Sequence, residues 1–266
     1  MSPDKEQMGT FLFNSTVFGP VVSRRLGSSL GINLLPNNKK ICNFNCIYCE
    51  CGLTTEFSQN NFSLPSRTEI KELLEKYLAG TGNAGEKVDT ITFAGNGEPT
   101  LHPDFSGIID DVLELRKKYL PAVKIAVLSN ATMIHRSEIF KALLRVDFNI
   151  LKLDSVHENT RRLINCPLTG YSVRKTLQGL KRFNGRLVIQ SMFFRGNYRG
   201  MFIDNTVRKE LEPLIEAYQE INPESVMIYT IARDTPHHGL QKVAENELKA
   251  IAAKIEKLGI KTHVSG

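Results

Sequence analysis

Two spacings of apolar residues take turns along the chain. Short blocks that alternate or run solidly apolar are separated by longer stretches in which apolar residues return every three to four positions. Residues 30–35 alternate and stop at Pro36, which predicts a first strand. Residues 88–93, 124–128, 148–154, 187–194 and 226–231 predict five more. Ser66-Arg67-Thr68-Glu69 is a capping box that opens a helical run of Ile70, Leu73, Leu74, Tyr77 and Leu78, with Gly80 as its stop. Ile108, Ile109, Val112, Leu113 and Leu115 mark a second helix, with Asp110 and Asp111 early and Arg116, Lys117 and Lys118 late, as the helix dipole favours. Residues 138–144 and 173–183 predict two more helices, the latter after an irregular piece. Residues 207–218 predict a helix interrupted by Pro213. Leu248, Ile251, Ala252, Ile255 and Leu258 mark the last helix, stopped by Gly259, and residues 261–264 a terminal edge strand.

Strand followed by helix, repeated in this way, implies a parallel sheet covered by helices. Six such units do not fill an eight-unit barrel. The pattern fits a partial barrel and a doubly wound open sheet equally well. Residues 1–28 read as a lead-in, with Phe11, Phe13 and Val17 against a sheet edge. A length of 266 residues suits a single domain, 1–266, with the barrel over 29–266. No apolar run approaches the ~18 residues that span a membrane. Residues 1–6 lack the layout of a signal peptide. Five cysteines, mostly clustered, argue against a disulfide scaffold and for a reducing cytoplasm.

The cysteines change the picture most. Cys42, Cys46 and Cys49 have the spacing C-x3-C-x2-C, with Cys51 close behind, in a loop over 36–52 that directly follows the first predicted strand. Soft sulfur ligands favour zinc, copper(I) or an iron–sulfur cluster. Structural zinc sites use a distant second pair of ligands, and the adjacent His237 and His238 cannot form one. A compact zinc knuckle with Cys51 as fourth ligand is the plain alternative. Three cysteines can also hold three irons of a four-iron cube and leave the fourth open for chemistry.

The segment C-x3-C-x-aromatic-C, with Tyr48 as the aromatic, resembles the cluster loop of the radical S-adenosylmethionine (SAM) superfamily. The resemblance implies an α/β fold, a partial (β/α)6 TIM-like barrel, with one 4Fe-4S cluster on Cys42, Cys46 and Cys49. It also implies SAM at the open iron, cleaved reductively to a 5'-deoxyadenosyl radical that abstracts hydrogen from a substrate. A reducing partner such as flavodoxin or ferredoxin follows from the same likeness. Gly19-Pro20-Val21-Val22-Ser23-Arg24-Arg25-Leu26-Gly27 is similar to the lead-in of the wyosine-tRNA synthase-like subgroup. Wyosine synthases carry a second cluster on upstream cysteines, and this sequence has none before Cys42. By themselves, Arg24 and Arg25 can hold a phosphate or carboxylate, or fasten the segment down by an ion pair.

Ala94-Gly95-Asn96-Gly97-Glu98-Pro99 follows the second predicted strand. Its glycines permit close backbone approach to a ligand, or simply a tight turn. It resembles the family's Gly-Gly-Glu-Pro segment, which implies SAM contacts for Gly95, Asn96, Gly97 and Glu98, beside Tyr48. Asn96 replaces a glycine, and asparagine tolerates a left-handed backbone. Ser129 and Asn130 end the third strand, where short polar groups bind ribose or make turns. The resemblance gives them to the ribose or methionine portion of SAM.

Lys152 and Asp154 share a face of the fourth strand. Lys152 can act as an acid, bind an anion or form a Schiff base, or the two can be a structural pair. Gln190, Met192, Tyr229 and Arg233 stand at similar strand ends. Cys166 is a candidate hydrogen-atom donor or a small packed residue. His102 reads as a surface or capping residue. Residues 54–65 are polar and suggest a lid.

Net charge is +6 and unevenly placed. Residues 159–203 hold nine Lys and Arg and no acid, while elsewhere acids outnumber bases. The stretch suits RNA or another anionic substrate, or is a solvated basic face. Rival functions are peptide or protein modification, including glycyl-radical activation, and an iron–sulfur electron carrier without enzymatic activity.

Overall fold

Among the described residues the first element is a hairpin, which begins within the segment the sequence presents as a lead-in. The computed structural model describes residues 11–55, 57, 63–84 and 87–266. Strand β1 (Val17–Ser23) returns antiparallel as β2 (Gly27–Ile32). Phe18 lies across β2 so closely that a Cβ on Gly31 would meet its ring at 2.1 Å, so glycine is required there. There follow α1 (Arg67–Ala84), β3 (Thr90–Phe93), α2 (Phe105–Tyr119), β4 (Lys124–Ser129), α3 (Ser137–Leu143) and β5 (Phe148–Lys152). Then come α4 (Glu158–Asn165), α5 (Val173–Lys181), β6 (Val188–Met192), β7 (Phe194–Tyr198) and β8 (Met201–Asp204). The last elements are α6 (Arg208–Ile221), β9 (Ser225–Tyr229), β10 (Leu240–Lys242), α7 (Glu245–Glu256) and β11 (Lys261–Ser265).

The main sheet has the order β1-β2-β3-β4-β5-β6-β9-β11 and is parallel from β2 onward. β7 and β8 form a hairpin that β10 widens to a second, three-stranded sheet. The main sheet curls into a partial barrel. Arg24, in the β1–β2 turn, donates Nη1 to the carbonyl of Gly266, just past β11, at 3.0 Å. The strands follow one another in sequence order with no point of reversal, which rules against the doubly wound alternative.

Most predicted elements appear, with instructive differences. The Ser66–Glu69 capping box forms in both directions, at 3.2 and 3.4 Å. Gly80 does not stop α1, which continues to Ala84. Gly259 does end the last helical turn, with φ +79°. Helix α4 stands where the sequence looks irregular, because this short and mostly polar segment has only Leu163 and Ile164 as apolar residues. Pro213 sits inside α6 without breaking it. Lacking an N–H, it leaves the Lys209 carbonyl free, and His157 Nε2 bonds that carbonyl at 2.9 Å.

The large core lies between the sheet and its helices. The inner face of the sheet divides in two. Ala126, Ile150, Val188 and Met227 make an apolar plug at one end, against Leu26, Leu128 and Phe148. Two residues further along three of those strands, on the same face, stand Lys152, Gln190 and Tyr229. The interior thus turns polar at the C-terminal end of the strands.

Candidate active site

The cysteine loop leaves β2 at this polar end and is held on both sides. On one side Ile41 donates its N–H to the Asn96 carbonyl at 2.8 Å and accepts from the Glu98 N–H at 3.0 Å. Gly97 lies under this contact with φ +137°, and a Cβ there would stand 1.7 Å from the Ile41 carbonyl oxygen. On the other side, residues 43–47 run antiparallel to the chain leaving α4. Asn45 and Ile47 donate to the Cys166 and Ile164 carbonyls at 3.1 and 2.9 Å, and Leu168 donates to Asn43 at 2.9 Å.

Cys42 and Cys46 are buried, Cys49 is half-buried, and all are free thiols. Lys40 is buried among them and donates Nζ to the Gly52 carbonyl at 2.7 Å. Burial works against its charge, but Cys49, Cys42 and Cys46 outweigh burial and raise its pKa. Burial pushes the Cys42 thiol up to about 12, with Lys40 opposing. Burial also raises Cys46, against Lys152 and Lys40. The Cys49 pKa is lowered, first by the hydrogen bond from Cys51. Cys51 also stands 3.4 Å from the Gly95 carbonyl.

Among the described residues, no three His, Cys, Asp or Glu side chains converge tightly enough to share one metal ion. A zinc knuckle needs its sulfurs about 2.3 Å from a single centre. A polynuclear cluster takes each thiolate at a different iron, and three free, soft donors without imidazole or carboxylate fit that group.

The Gly95–Glu98 segment is largely occupied with the protein itself. The Asn96 side chain is fully buried, accepting from Phe13 N and donating to Phe13 and Pro36 carbonyls, each at 2.8 Å. Its backbone is not left-handed. The positive φ values fall on Gly95 and Gly97. Glu98 accepts from Thr100 N, Ser129 Oγ and Asn130 N at 3.1, 2.8 and 2.6 Å, tying the ends of β3 and β4 together. Burial raises its pKa despite these bonds. Asn130 Nδ2 donates to Asn43 Oδ1 at 2.7 Å and lies 3.7 Å from Cys42 Sγ. His102 is buried, with its ring bonded to the Pro65 carbonyl, so it is structural and not on the surface.

Tyr48 reaches the barrel interior. Its hydroxyl donates to Asp154 Oδ2 and accepts from Lys152 Nζ and Asn165 Nδ2 at 2.9 and 3.1 Å. Lys152 also donates to Tyr229 at 3.2 Å, and its Nζ is 3.7 Å from Asp154. Asp154 is fully buried and accepts from Met192 N at 3.0 Å. Burial opposes its ionisation, but Lys152 and Arg161 hold its pKa below the usual carboxylate range. Burial likewise opposes the Lys152 charge, and Asp154, Tyr229 and Cys46 outweigh it and raise its pKa. Arg25 enters from the β1–β2 turn, donating to Gln190 Oε1 at 3.1 Å and lying 4.7 Å over the Tyr229 ring. It is a fastening residue, though its partners are an amide and a ring instead of an acid.

Cys166 makes no hydrogen bond to this network among the described residues, though it packs against the apolar cluster that contains Cys46 and Tyr48. Its Sγ donates to the Leu163 carbonyl at 3.2 Å, and its backbone is left-handed, with φ +40°. Arg233 pairs with Glu50 at 2.6 Å in an exposed position. The suggested lid lies outside the described residues at 56 and 58–62. Sequence reasoning passed over Lys40, Arg161 and Asn165. Asn165 Nδ2 touches Cys46 Sγ, Tyr48 and Asp154, at 3.3, 3.1 and 2.8 Å. No local pattern marks it, because its partners lie far away in sequence.

Residues 39–205 match the sequence model of the Radical SAM superfamily. The chain belongs to that superfamily. A UPF0026 protein of Helicobacter pylori (strain ATCC 700392 / 26695) is 30% identical over 236 residues, covering 87% of this chain and 71% of that protein. A Brachyspira hyodysenteriae protein named GTPase Obg is 31% identical over 237 residues, 88% of this chain but 32% of that protein. This radical SAM chain contains no Gly-Lys dipeptide, and so no P-loop of the GTPase kind. In fold it is similar to a radical SAM methyltransferase from Sphaerobacter thermophilus, with TM-score 0.64 at 14% identity over 89% of this chain and 65% of that one. A TYW1 with a bound lysine–pyruvate adduct aligns with TM-score 0.59 at 15% identity, over 86% and 73% of the two chains. Radical SAM enzymes use a 4Fe-4S cluster and SAM and typically need a reductant. No helix among the described residues is long and apolar enough to cross a membrane.

Proposed function

We propose that Cys42, Cys46 and Cys49 hold the 4Fe-4S cluster and that SAM lies between it and the C-terminal ends of β3 and β4. The observation that carries this reading is the gathering of three free thiols around Lys40, on a loop seated against Gly97. When bound, the cluster and SAM supply a 5'-deoxyadenosyl radical that takes a hydrogen atom from the substrate. The Gly97 carbonyl accepts no hydrogen bond among the described residues and is the acceptor we assign to SAM's amino group. Gly95 lets the backbone turn there. Asn96 and Glu98 hold the segment's shape, and Ser129 and Asn130 border SAM while bracing the loop. The Tyr48 ring walls the site, and its hydroxyl is oriented by Asp154 and Asn165.

Lys152 serves as a fixed cation at the reacting space, held by Asp154 and the Tyr48 and Tyr229 hydroxyls. Asp154 positions it. The basic stretch 159–203 favours an anionic substrate, RNA among them, and free thiols suit a cytoplasmic setting with flavodoxin or ferredoxin as donor.

The test is anaerobic reconstitution with iron and sulfide, then dithionite and SAM, assayed for 5'-deoxyadenosine. Wild type is expected to form it and Cys46→Ala to form none. No product from wild type carrying about four irons per chain would refute the reading. Cys51→Ala is expected to keep the full iron content, and a stoichiometric zinc site lost in this variant would favour the knuckle instead.

A further inference from the structure

A pocket of about 620 Å³ opens beside the cluster loop, within the usual range for small-ligand sites. Asn45 and Leu53 form one wall, the chain from 166 to 171 another, and Tyr198 and Arg199 of the β7–β8 turn a third. No acidic residue lines it. Arg162 and Arg199 do, and among the described residues neither has an acidic partner. Their neighbours in the basic stretch differ, since Lys181 pairs with Glu220, and Arg195 with Asp204 and Glu247. Two guanidiniums left unpaired in one concavity favour an anion with several acceptor oxygens.

Three more features add to this. Arg199 lies 5.2 Å over the Tyr198 ring, a stack that leaves the edges of its fork free to donate. Tyr171 accepts from Arg161 Nη2 at 2.7 Å, so its own O–H remains to be given. Arg161 itself is wholly buried between the Phe44 and Tyr171 rings, with Nε and Nη1 unpartnered, and its charge adds to the positive potential behind the wall.

We propose that this pocket binds a phosphoryl group of the substrate, clamped by Arg162 and Arg199 with help from the Tyr171 and Thr169 hydroxyls. The assignment to a substrate rests on the radical SAM reading, whereas the anion site itself does not. The phosphoryl group can belong to a small phosphomonoester or to the phosphodiester chain of a nucleic acid. The pocket adjoins the chemistry through one bond, the Asn45 N–H to the Cys166 carbonyl, one residue before Cys46.

The experiment uses reconstituted protein and two probes. Uridine 5'-monophosphate is titrated by calorimetry, and a fluorescein-labelled oligouridylate by anisotropy across a range of salt. At least one probe is expected to bind wild type, and Arg162→Ala/Arg199→Ala to weaken it about 100-fold, roughly tenfold for each charge-assisted pair. Arg162→Lys/Arg199→Lys is expected to recover part of the affinity. Deoxyadenosine formation without added substrate stays unchanged in all variants. Preference for the monophosphate identifies a small substrate. Preference for the oligonucleotide, with a steep loss on adding salt, identifies a nucleic acid. Absence of binding by both probes, or equal affinities for wild type and the double alanine variant, overturns the proposal. Wild type that binds a probe but makes no deoxyadenosine would instead overturn the proposed function and leave the anion site standing.

Discussion

Asp154→Ala is expected to lower the free energy of unfolding by about 3–5 kcal/mol, the cost of leaving buried charge without its partner. The carboxylate faces Lys152 at 3.7 Å and accepts hydrogen bonds from Tyr48, Asn165 and Met192. Its removal leaves the largely buried Lys152 ammonium and three donors without their acceptor. Urea denaturation of the cluster-free protein under anaerobic conditions reads the change, and a loss below about 1 kcal/mol would show that water reaches the network. Acid should also distinguish the two proteins. Asp154 has a folded pKa below its unfolded one, near 3.9. Its contribution is therefore complete above that unfolded value and disappears as pH falls through the folded one. Wild type should lose this increment on acidification, and the variant has none to lose.

Gly97→Ala is expected to abolish cluster loading while leaving most of the helical circular dichroism. An added methyl would stand 1.7 Å from the Ile41 oxygen and 2.5 Å from its carbonyl carbon. Ile41 cannot step back without breaking its bonds to Asn96 and Glu98. The φ of +137° adds strain for any side chain. Iron after reconstitution should fall from about four per chain to near zero, with deoxyadenosine lost in parallel. Gly170→Ala, with nothing within 4 Å of the new methyl, is the matched control and should load normally. Full iron content in Gly97→Ala would mean the loop does not depend on this contact.

What could be read beforehand divides along physical lines. The six central strands and their covering helices were legible because buried parallel strands and amphipathic helices each repeat at a period of their own. The three cysteines were legible because their spacing is local. The β1–β2 hairpin escaped notice, since Gly19, Pro20 and two arginines obscure any alternation over 17–27. The β7–β8 hairpin is similarly masked by Gly196 and Gly200. Within the site, sequence could nominate Lys152 and Asp154 as sharing a face. It could not show that Tyr48 and Asn165 would meet them there, because those contacts join three separate segments. Asn96 and Glu98 stood out as a motif, yet most of their polar atoms turn out to brace the fold. A motif reports that a shape is needed, and the hydrogen bonds report which atoms serve it.

The antiparallel pairing of 43–47 with 164–168 sets an order of events during synthesis. The thiols emerge from the ribosome first, and the segment that pairs with their loop follows more than a hundred residues later. At about 5–20 residues per second, the nascent chain displays bare cysteines for several seconds, open to oxidation. In the same interval iron and sulfide can reach all three sulfurs before the pairing with 164–168 forms.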